Sequence, residues 1–516
     1  MALPGKKKEA MSSTETPSSI SVSGRYIILV VAFLGWAYSG VHMSINGIVM
    51  RVATADLMQS DFAEAGIAEK SSADSVDPEI MEEYDANASG TLEAGERAKA
   101  REAILGQWFG WFTCAFLFGA ATGGYVFGYV GDAFGRARAM TLSILCYSVF
   151  SLISSYAQSP TQLLLLRFVT CMGIGGMWPN GIALLSEAWA TVSRPVVAGV
   201  MGTAANVGIL IFALYTVLGH QVTSSDWRWT LLVGGYAIVL GAISFLFVPE
   251  SPSWLAVQRG EASKSEKPGK VGLGEIFKPP ILQITLIGIL LGTIPLFGGW
   301  GVSNWATAWA SEVGDTAKQT TLDDKDQAEG EEGTTVSKPA SKPDPILKSM
   351  TVVARSLPGS VSSLLGGALA VFLGRKRTYC LLCIGALICT QFLFRVDNPV
   401  DSRVLFTISM FERDLKITEF LGWTFGLGFF SGFFFGWLPL CLPELFPTRV
   451  RATGAGVSFN WGRILTAFGV LLSAVALKQM FQGEYAKVGK ITGLIYVAGL
   501  VVIWFAPDTS STSLDD

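Results

Sequence analysis

Twelve stretches of this 516-residue chain are apolar over a length that crosses a lipid bilayer: 26–50, 107–130, 139–157, 161–185, 196–219, 229–248, 281–310, 350–373, 378–395, 418–441, 453–477 and 488–506. A helix needs roughly 20 residues to cross the hydrocarbon. Inside lipid every backbone N–H and C=O must find its partner within the protein, so helices are the natural spanning elements of such runs. The pattern predicts an all-α membrane protein of twelve transmembrane helices. Composition agrees: 50% of the residues are hydrophobic and 15% charged, where a soluble domain carries about a quarter charged.

The polar segments divide the chain into a disordered tail (1–25), a six-helix half (26–248), a connector (249–280), a second six-helix half (281–506) and a second tail (507–516). The first tail has no apolar core, so it does not read as a cleavable signal peptide. Two large segments, 51–105 and 311–349, are dominated by Asp and Glu, whereas the segments on the other side hold Lys6, Lys7, Lys8, Arg136, Arg138, Arg194, Arg375, Lys376, Arg377, Arg449 and Arg451. Lys and Arg collect on the cytoplasmic side of membrane proteins, which predicts a multi-pass protein of the cell membrane with both termini in the cytoplasm. All seven cysteines lie in apolar stretches and read as small buried hydrophobes.

The halves repeat. "GYVGDAFGRAR" (128–138) recurs as "GALAVFLGRKR" (367–377), and "SEAWATVSRPVVAGV" (186–200) as "PELFPTRVRATGAGV" (443–457), aligning Glu187 with Glu444 and Arg194 with Arg451. "PES" at 249–251 returns as "PDT" at 507–509. Internal repetition of this kind marks transporters whose site lies between two halves.

On these motifs the sequence resembles the major facilitator superfamily over its whole membrane part. "GYVGDAFGRAR" looks like that family's G-x-x-x-D-x-x-G-R loop after span 2. The resemblance implies that Gly128 and Gly135 allow close packing and turning, and that Asp132, Arg136 and Arg138 form a gating charge cluster. It gives the repeat copies Gly367, Gly374 and Arg375, with Glu187, Arg194, Glu444, Arg449 and Arg451, the same gating role. "RFVTCMGIGG" (167–176), "PESPSWL" (249–255) and "PELFPTRVR" (443–451) resemble further signatures. The glutamine pair of sugar porters is absent from span 7, as is the glycine–proline motif of drug antiporters from span 5. The chain is most similar to the organic-acid and aromatic-acid proton symporters and the sialic-acid and organic-ion carriers. It departs from them in span 1, where "GWAYSGVH" has Ser39 and His42 in place of two acids.

Ionisable groups within spans are costly and default to functional candidates. Arg463 lies twelve residues beyond Arg451, about 18 Å along a helix; it could pair with a substrate carboxylate or be held by backbone carbonyls. Its counterpart in the first half is Asn206. His42 and Asn46 share one face of span 1 and could serve as a proton site, a substrate ligand or a polar vestibule. Arg167 in span 4 has a coupling or gating role by resemblance, with helix packing as the alternative. Arg355 reads as a snorkelling residue near the outer surface. Of the aromatics in span 7, Trp300 with Asn304 is expected toward the cavity, while interfacial anchoring competes for Trp300, Trp305 and Trp309.

One segment stands outside this reading. "DANASGTLEAGE" (85–96) matches a calcium loop, with Asp85, Asn87, Ser89, Thr91, Glu93 and Glu96 as candidate Ca2+ ligands and Gly90 at the turn. The exit segment "RAKAREAIL" lacks the apolar residues that normally pack on the entering helix, and no second copy is present. The loop is expected to lie some ten residues ahead of span 2, where calcium would brace it.

No phosphate-binding G-x-x-x-x-G-K-[ST] loop, nucleophile triad or exposed basic face occurs, so the chain reads as neither an enzyme nor a nucleic-acid binder. No cofactor is required. The expectation is a monomeric secondary transporter of a small organic solute, an organic acid, by alternating access with possible coupling to protons. The rivals are an uncoupled sugar or polyol facilitator and a non-transporting solute or calcium sensor.

Overall fold

A computed structural model describes residues 20–68, 76–85, 90–189, 192, 194–259, 273–313, 346–410, 413–447, 450–481 and 484–509. Among them, eleven helices are long and apolar enough to cross a membrane. The remaining expected span, 378–395, forms the helix Arg375–Leu393, 19 residues long, with Arg375, Lys376 and Arg377 in its first turn. The twelve spans are therefore span 1 (Val22–Leu57), 2 (Ala94–Phe134), 3 (Arg136–Ser154), 4 (Pro160–Ala188), 5 (Arg194–Leu218), 6 (Arg228–Phe247), 7 (Ile281–Val313), 8 (Leu347–Leu373), 9 (Arg375–Leu393), 10 (Glu419–Glu444), 11 (Arg451–Gln479) and 12 (Tyr485–Phe505). Large apolar side chains such as Phe245, Leu246, Phe372, Leu472 and Phe505 remain exposed on the outside of the bundle. On a soluble monomer so much exposed apolar surface is rare; around a helical bundle it is the lipid-facing wall.

Local chemistry sets the helix starts. Ser159 caps span 4 by accepting from Gln162 N at 3.2 Å, and Pro160 follows in the first turn, where its missing N–H costs nothing. Spans 3 and 9 begin in the same way, each after a glycine of positive φ, Gly135 at +110° and Gly374 at +86°. A side chain is strained in that backbone region. The repeat extends to the last span of each half. Span 6 breaks after Gly235 and span 12 after Thr492, so both are built from two short helices.

Span 7 departs from α-geometry. Its helix Ile281–Phe297 contains Pro295 and passes into a π-turn at Gly298–Val302. Proline removes one helix hydrogen bond, and π-turns gather at functional sites. Spans 8 and 10 pack through small residues: a Cβ on Gly366 would lie 2.8 Å from Gly436 Cα, and one on Gly432 would lie 2.8 Å from Gly359 Cα. Such backbone contact is how helices associate in lipid, where no hydrophobic drive separates helix from tail.

Three features differ from the sequence expectation. Spans 1 and 2 continue as helix into the 51–105 segment, to Leu57 and from Ala94. The loop 85–96 is therefore not followed by a linker, because Glu93 is itself the N-cap of span 2. The exit segment also has an apolar face after all: Ala100, Ala103 and Leu105 bury against Phe62, Ile67, Tyr84 and Leu92 in a small separate core. Alanine is too small to register as a packing face in sequence, yet it suffices where two helices approach closely. Finally, an antiparallel hairpin, Val404–Met410 paired with Arg413–Thr418, joins spans 9 and 10. Its first strand, VLFTISM, is largely apolar but far too short to read as a span.

Candidate functional site

A cavity of about 410 Å³ lies between the two halves, lined by spans 1, 2, 4, 5, 7, 8, 10 and 11. Its wall includes Pro179, Pro439 and Pro443, each inside a helix where it removes a backbone hydrogen bond, and the π-turn residues Gly299 and Trp300. Interrupted helices next to a central cavity are where transporters bind solute. The lining runs on span 10 to Pro443 and on span 11 to Ala455, close to the arginine-bearing loops. On the opposite side, facing the 51–105 insertion, the halves are sealed. Arg51 donates to Ser311 at 3.1 Å, Thr216 to Ser349 at 2.9 Å, and Lys348 Nζ to Val222 O at 3.1 Å.

The lining is aromatic and cationic. Trp300 stacks on Phe116 across the halves with ring centroids 4.0 Å apart, and Trp36 meets Trp178 at 4.9 Å. Two guanidiniums enter the wall, Arg355 from span 8 and Arg463 from span 11, while no Asp or Glu lines it among the described residues. Arg463 uses Nη1 for Ala120 O at 3.3 Å and Asn460 Oδ1 at 3.2 Å, and its guanidinium lies 4.7 Å over the Phe459 ring. Arg355 Nη1 donates to Gly299 O at 3.2 Å on the π-turn. Neither makes an ion pair among the described residues. A charge taken from water without a counter-charge is expensive, so the pair constitutes a standing demand for an anion.

Of the expected site residues, Arg463, Asn206 and Trp300 line the cavity. Asn206 reaches across to Gly359 O and Ser363 Oγ, both at 3.4 Å. Asn304 does not line it; it is buried on the far side of the π-turn near Gly47 of span 1. Trp305 and Trp309 are buried as well, against Phe109 and Tyr485 and against Phe394 and Phe420, and are not interfacial anchors. Arg355 corrects the snorkelling expectation. Span 8 starts at Leu347, so Arg355 stands about 12 Å into the helix, inside the wall. Phe116, Trp178, Phe435 and Asn460 carry no charge or quoted motif to distinguish them in sequence, and Trp36 stands in the span 1 motif without being singled out.

His42 and Arg167 come together inside the first half, and neither they nor Asn46 line the cavity. Arg167 Nη1 meets His42 Nδ1 at 3.3 Å and Nη2 donates to His42 O at 3.2 Å; both residues are fully buried. A guanidinium only donates, so Nδ1 must accept and the imidazole is the neutral Nε2–H tautomer. Asn46 donates to Thr113 Oγ1 at 3.4 Å.

The repeated loop motifs form matching ties within each half. Arg136 pairs with Glu187, which also accepts from Ser251 Oγ. In the second half, Arg375 binds Glu444 through Nε and Nη2, both at 3.0 Å, and Thr509 Oγ1 donates to Glu444 at 2.8 Å. Glu250 caps span 3, accepting from Ala137 N at 2.9 Å and Arg138 N at 3.4 Å, and Asp132 O accepts from Trp254 Nε1 at 3.0 Å. A carboxylate at a helix N-terminus is favoured by the exposed N–H groups and the helix dipole. Arg451 donates to Phe446 O at 3.4 Å, Gly367 is buried in span 8, and Arg194 opens span 5. Gly128 makes no close approach, and it is Gly131 whose missing Cβ admits Asn180. Arg449 lies outside the described residues.

In the calcium-like loop, Asn87 and Ser89 also lie outside the described residues. Gly90 has φ +76° and donates its N–H to Asp85 Oδ2 at 2.8 Å, and Leu92 is buried, all of which fits such a loop. The carboxylates, however, are not gathered. Glu96 turns back to accept from Glu93 N at 3.0 Å in a capping box, and among the described residues no group of three His, Cys, Asp or Glu could hold a metal. Glu93 is the N-cap residue of span 2.

This architecture is similar to that of solved transporters. The xylose transporter XylE from E. coli, in a partially occluded inward-open conformation, superposes with a TM-score of 0.56 at 14% identity, covering 95% of this chain and 100% of that one. A cis,cis-muconate transport protein of Acinetobacter baylyi is 25% identical over 376 residues, 72% of this chain and 76% of that protein. The 3-(3-hydroxy-phenyl)propionate transporter of E. coli is 30% identical over 236 residues, 46% of this chain and 55% of that protein. The Major Facilitator Superfamily profile matches residues 80–470. Twelve spans in two repeated halves, a cavity between them and this match together place the chain in the major facilitator superfamily, as a membrane transporter and not an enzyme.

Proposed function

We propose that this transporter carries small organic carboxylates, and that Arg463 and Arg355 hold the carboxylate while the aromatic wall holds the rest of the solute. The observation that carries this reading is the charge balance of the cavity: two guanidiniums, no lining carboxylate, and aromatic faces beside them. A guanidinium matches a carboxylate with two parallel hydrogen bonds. The names of the relatives support the class, since muconate and hydroxyphenylpropionate are both carboxylates. A neutral sugar would leave both charges unmatched, and the likeness to the xylose transporter concerns fold alone. The cavity reaching the arginine-bearing face, with the other side sealed, is one end state of alternating access.

Uptake into proteoliposomes tests the reading. Labelled benzoate-type and aliphatic carboxylates are compared with xylose, each with and without a pH gradient. Saturable carboxylate uptake that Arg463→Ala lowers at least about tenfold is expected, as for loss of a charged hydrogen bond. Unchanged carboxylate uptake by that variant refutes the assignment, and uptake indifferent to the gradient removes proton coupling. Calcium binding at 85–96 is a separate proposal, supported by the Asp85–Gly90 turn. Titration of the full chain with calcium, against an Asp85→Ala control, decides it.

A further inference from the structure

Each of the two guanidiniums in the cavity wall is only half committed to the protein. Arg355 uses Nη1 alone, donating to Gly299 O, and Arg463 uses Nη1 alone, for Ala120 O and Asn460 Oδ1. Nε and Nη2 of both have no protein acceptor among the described residues, and none of the four atoms is sealed inside the protein. The Nε–Nη2 edge presents two parallel N–H donors, the fork that both oxygens of a carboxylate accept. This chain shows the fit elsewhere: Arg375 binds Glu444 through Nε and Nη2, both at 3.0 Å. The cavity therefore holds two complete carboxylate forks, and one carboxylate fills one of them.

Nothing in the wall offsets the second charge. Its amide and hydroxyl side chains, Asn206, Asn460 and Ser431, are neutral. The buried Tyr496 phenol, which lies against Gly298 of the same π-turn, is neutral too. The anchors also set the arrangement. Gly299 immediately precedes Trp300, and Ala120 lies one turn beyond Phe116, about 6 Å along span 2. Trp300 and Phe116 are themselves stacked at 4.0 Å. The carbonyls that hold the two guanidiniums thus come from the backbone on either side of one aromatic stack.

We propose that the solute is a dicarboxylate, with one carboxylate on the Nε–Nη2 edge of Arg355, the other on that of Arg463, and the stretch between them against the Phe116–Trp300 stack. This rests on the carboxylate reading of the proposed function and adds a second charge to it. A monocarboxylate leaves one guanidinium out of water without a counter-charge, which is costly. A dicarboxylate neutralises both.

The test compares matched solutes in proteoliposomes that carry the full chain: terephthalate against its monoamide, and adipate against its monoamide for a chain without a ring. Each diacid is doubly ionised at neutral pH, and each monoamide keeps the shape but loses one charge. For at least one pair, kcat/KM for the diacid should exceed that for the monoamide about ten- to a hundredfold, as for one hydrogen-bonded charge. Arg355→Gln and Arg463→Gln should each bring that ratio close to one. The ratio is taken within one variant, so it does not depend on how much of the variant folds. Monoamides carried as well as diacids by the wild type, with Arg463→Gln lowering both, overturn the proposal and leave the carboxylate reading standing. A preference for diacids that persists in either variant also overturns it, because the second carboxylate is then held elsewhere. Uptake of none of the four solutes overturns the proposal and the carboxylate reading together.

Discussion

Thr509 donates its hydroxyl to Glu444 at 2.8 Å, as Ser251 does to Glu187 in the other half. The third residue of "PDT" and of "PES" thus does the same work, and the repeat read from sequence is a repeat of hydrogen bonds. In the second half the glutamate also holds Arg375 by two bonds. Glu444→Gln should lower stability by about 1.5–3 kcal/mol, the worth of hydrogen bonds to a charged group, and Thr509→Ala by about 0.5–1.5 kcal/mol. Thermal unfolding in detergent measures both, and combining Glu444→Gln with Arg375→Ala should cost less than the sum of the two.

Arg355 should matter for transport and not for membrane anchoring. Arg355→Gln is expected to lower kcat/KM for carboxylates about ten- to a hundredfold, from the loss of a charged hydrogen bond. Arg355→Lys should recover part of this, because the ammonium keeps the charge but not the planar fork. Initial uptake rates check it; a Lys variant no better than Gln would make shape, not charge, the decisive property.

In the proposed function the Phe116–Trp300 stack is the platform for a planar solute. Trp300→Ala should weaken aromatic carboxylates relative to aliphatic ones by about 0.5–1.5 kcal/mol, the worth of one aromatic pair, or roughly two- to twelvefold. The ratio of KM values for the two solute types reads this directly and cancels general damage to the cavity.

His42 accepts from Arg167 in the core of the first half. His42→Phe should cost about 1–3 kcal/mol or more, since a buried charged donor loses its side-chain acceptor. His42→Asn, which retains an acceptor, should cost less. Melting temperatures of the two variants give the comparison, and equal losses would show that the backbone bond to His42 O suffices.

The capping box at Glu93–Glu96 starts span 2. Glu96→Ala should destabilise that start by about 1 kcal/mol. Faster amide hydrogen exchange over 93–105, with exchange in the rest of span 2 unchanged, is the expected signature.

How far the sequence reached differs from residue to residue. The spans were legible because lipid imposes one rule on every backbone group, and a run of about 20 apolar residues is how a chain obeys it. The Arg375–Glu444 tie was legible because two copies of one motif must make the same contacts. Arg463 was legible because a charge in an apolar run is costly wherever it points. Asn304 was misplaced because the π-turn at Gly298–Val302 rotates the helix beyond it, and nothing in the letters counts that extra residue per turn. Arg355 was misplaced because its depth depends on where span 8 begins, several residues outside its apolar run.

The sequence by itself therefore determined the solvent this protein folds in, the number of its spans, their division into two related halves and its family. Each of those comes from local composition or from repetition, which a linear chain displays openly. Only the tertiary structure decided that Arg355 and Arg463 face one cavity while His42 and Arg167 face each other, and that Ser311 of the opposite half accepts from Arg51. Those relations depend on helix rotation, on breaks at Pro295 and the π-turn, and on glycines that set how close two backbones come. They arise from packing in three dimensions, between residues that lie a hundred or more positions apart.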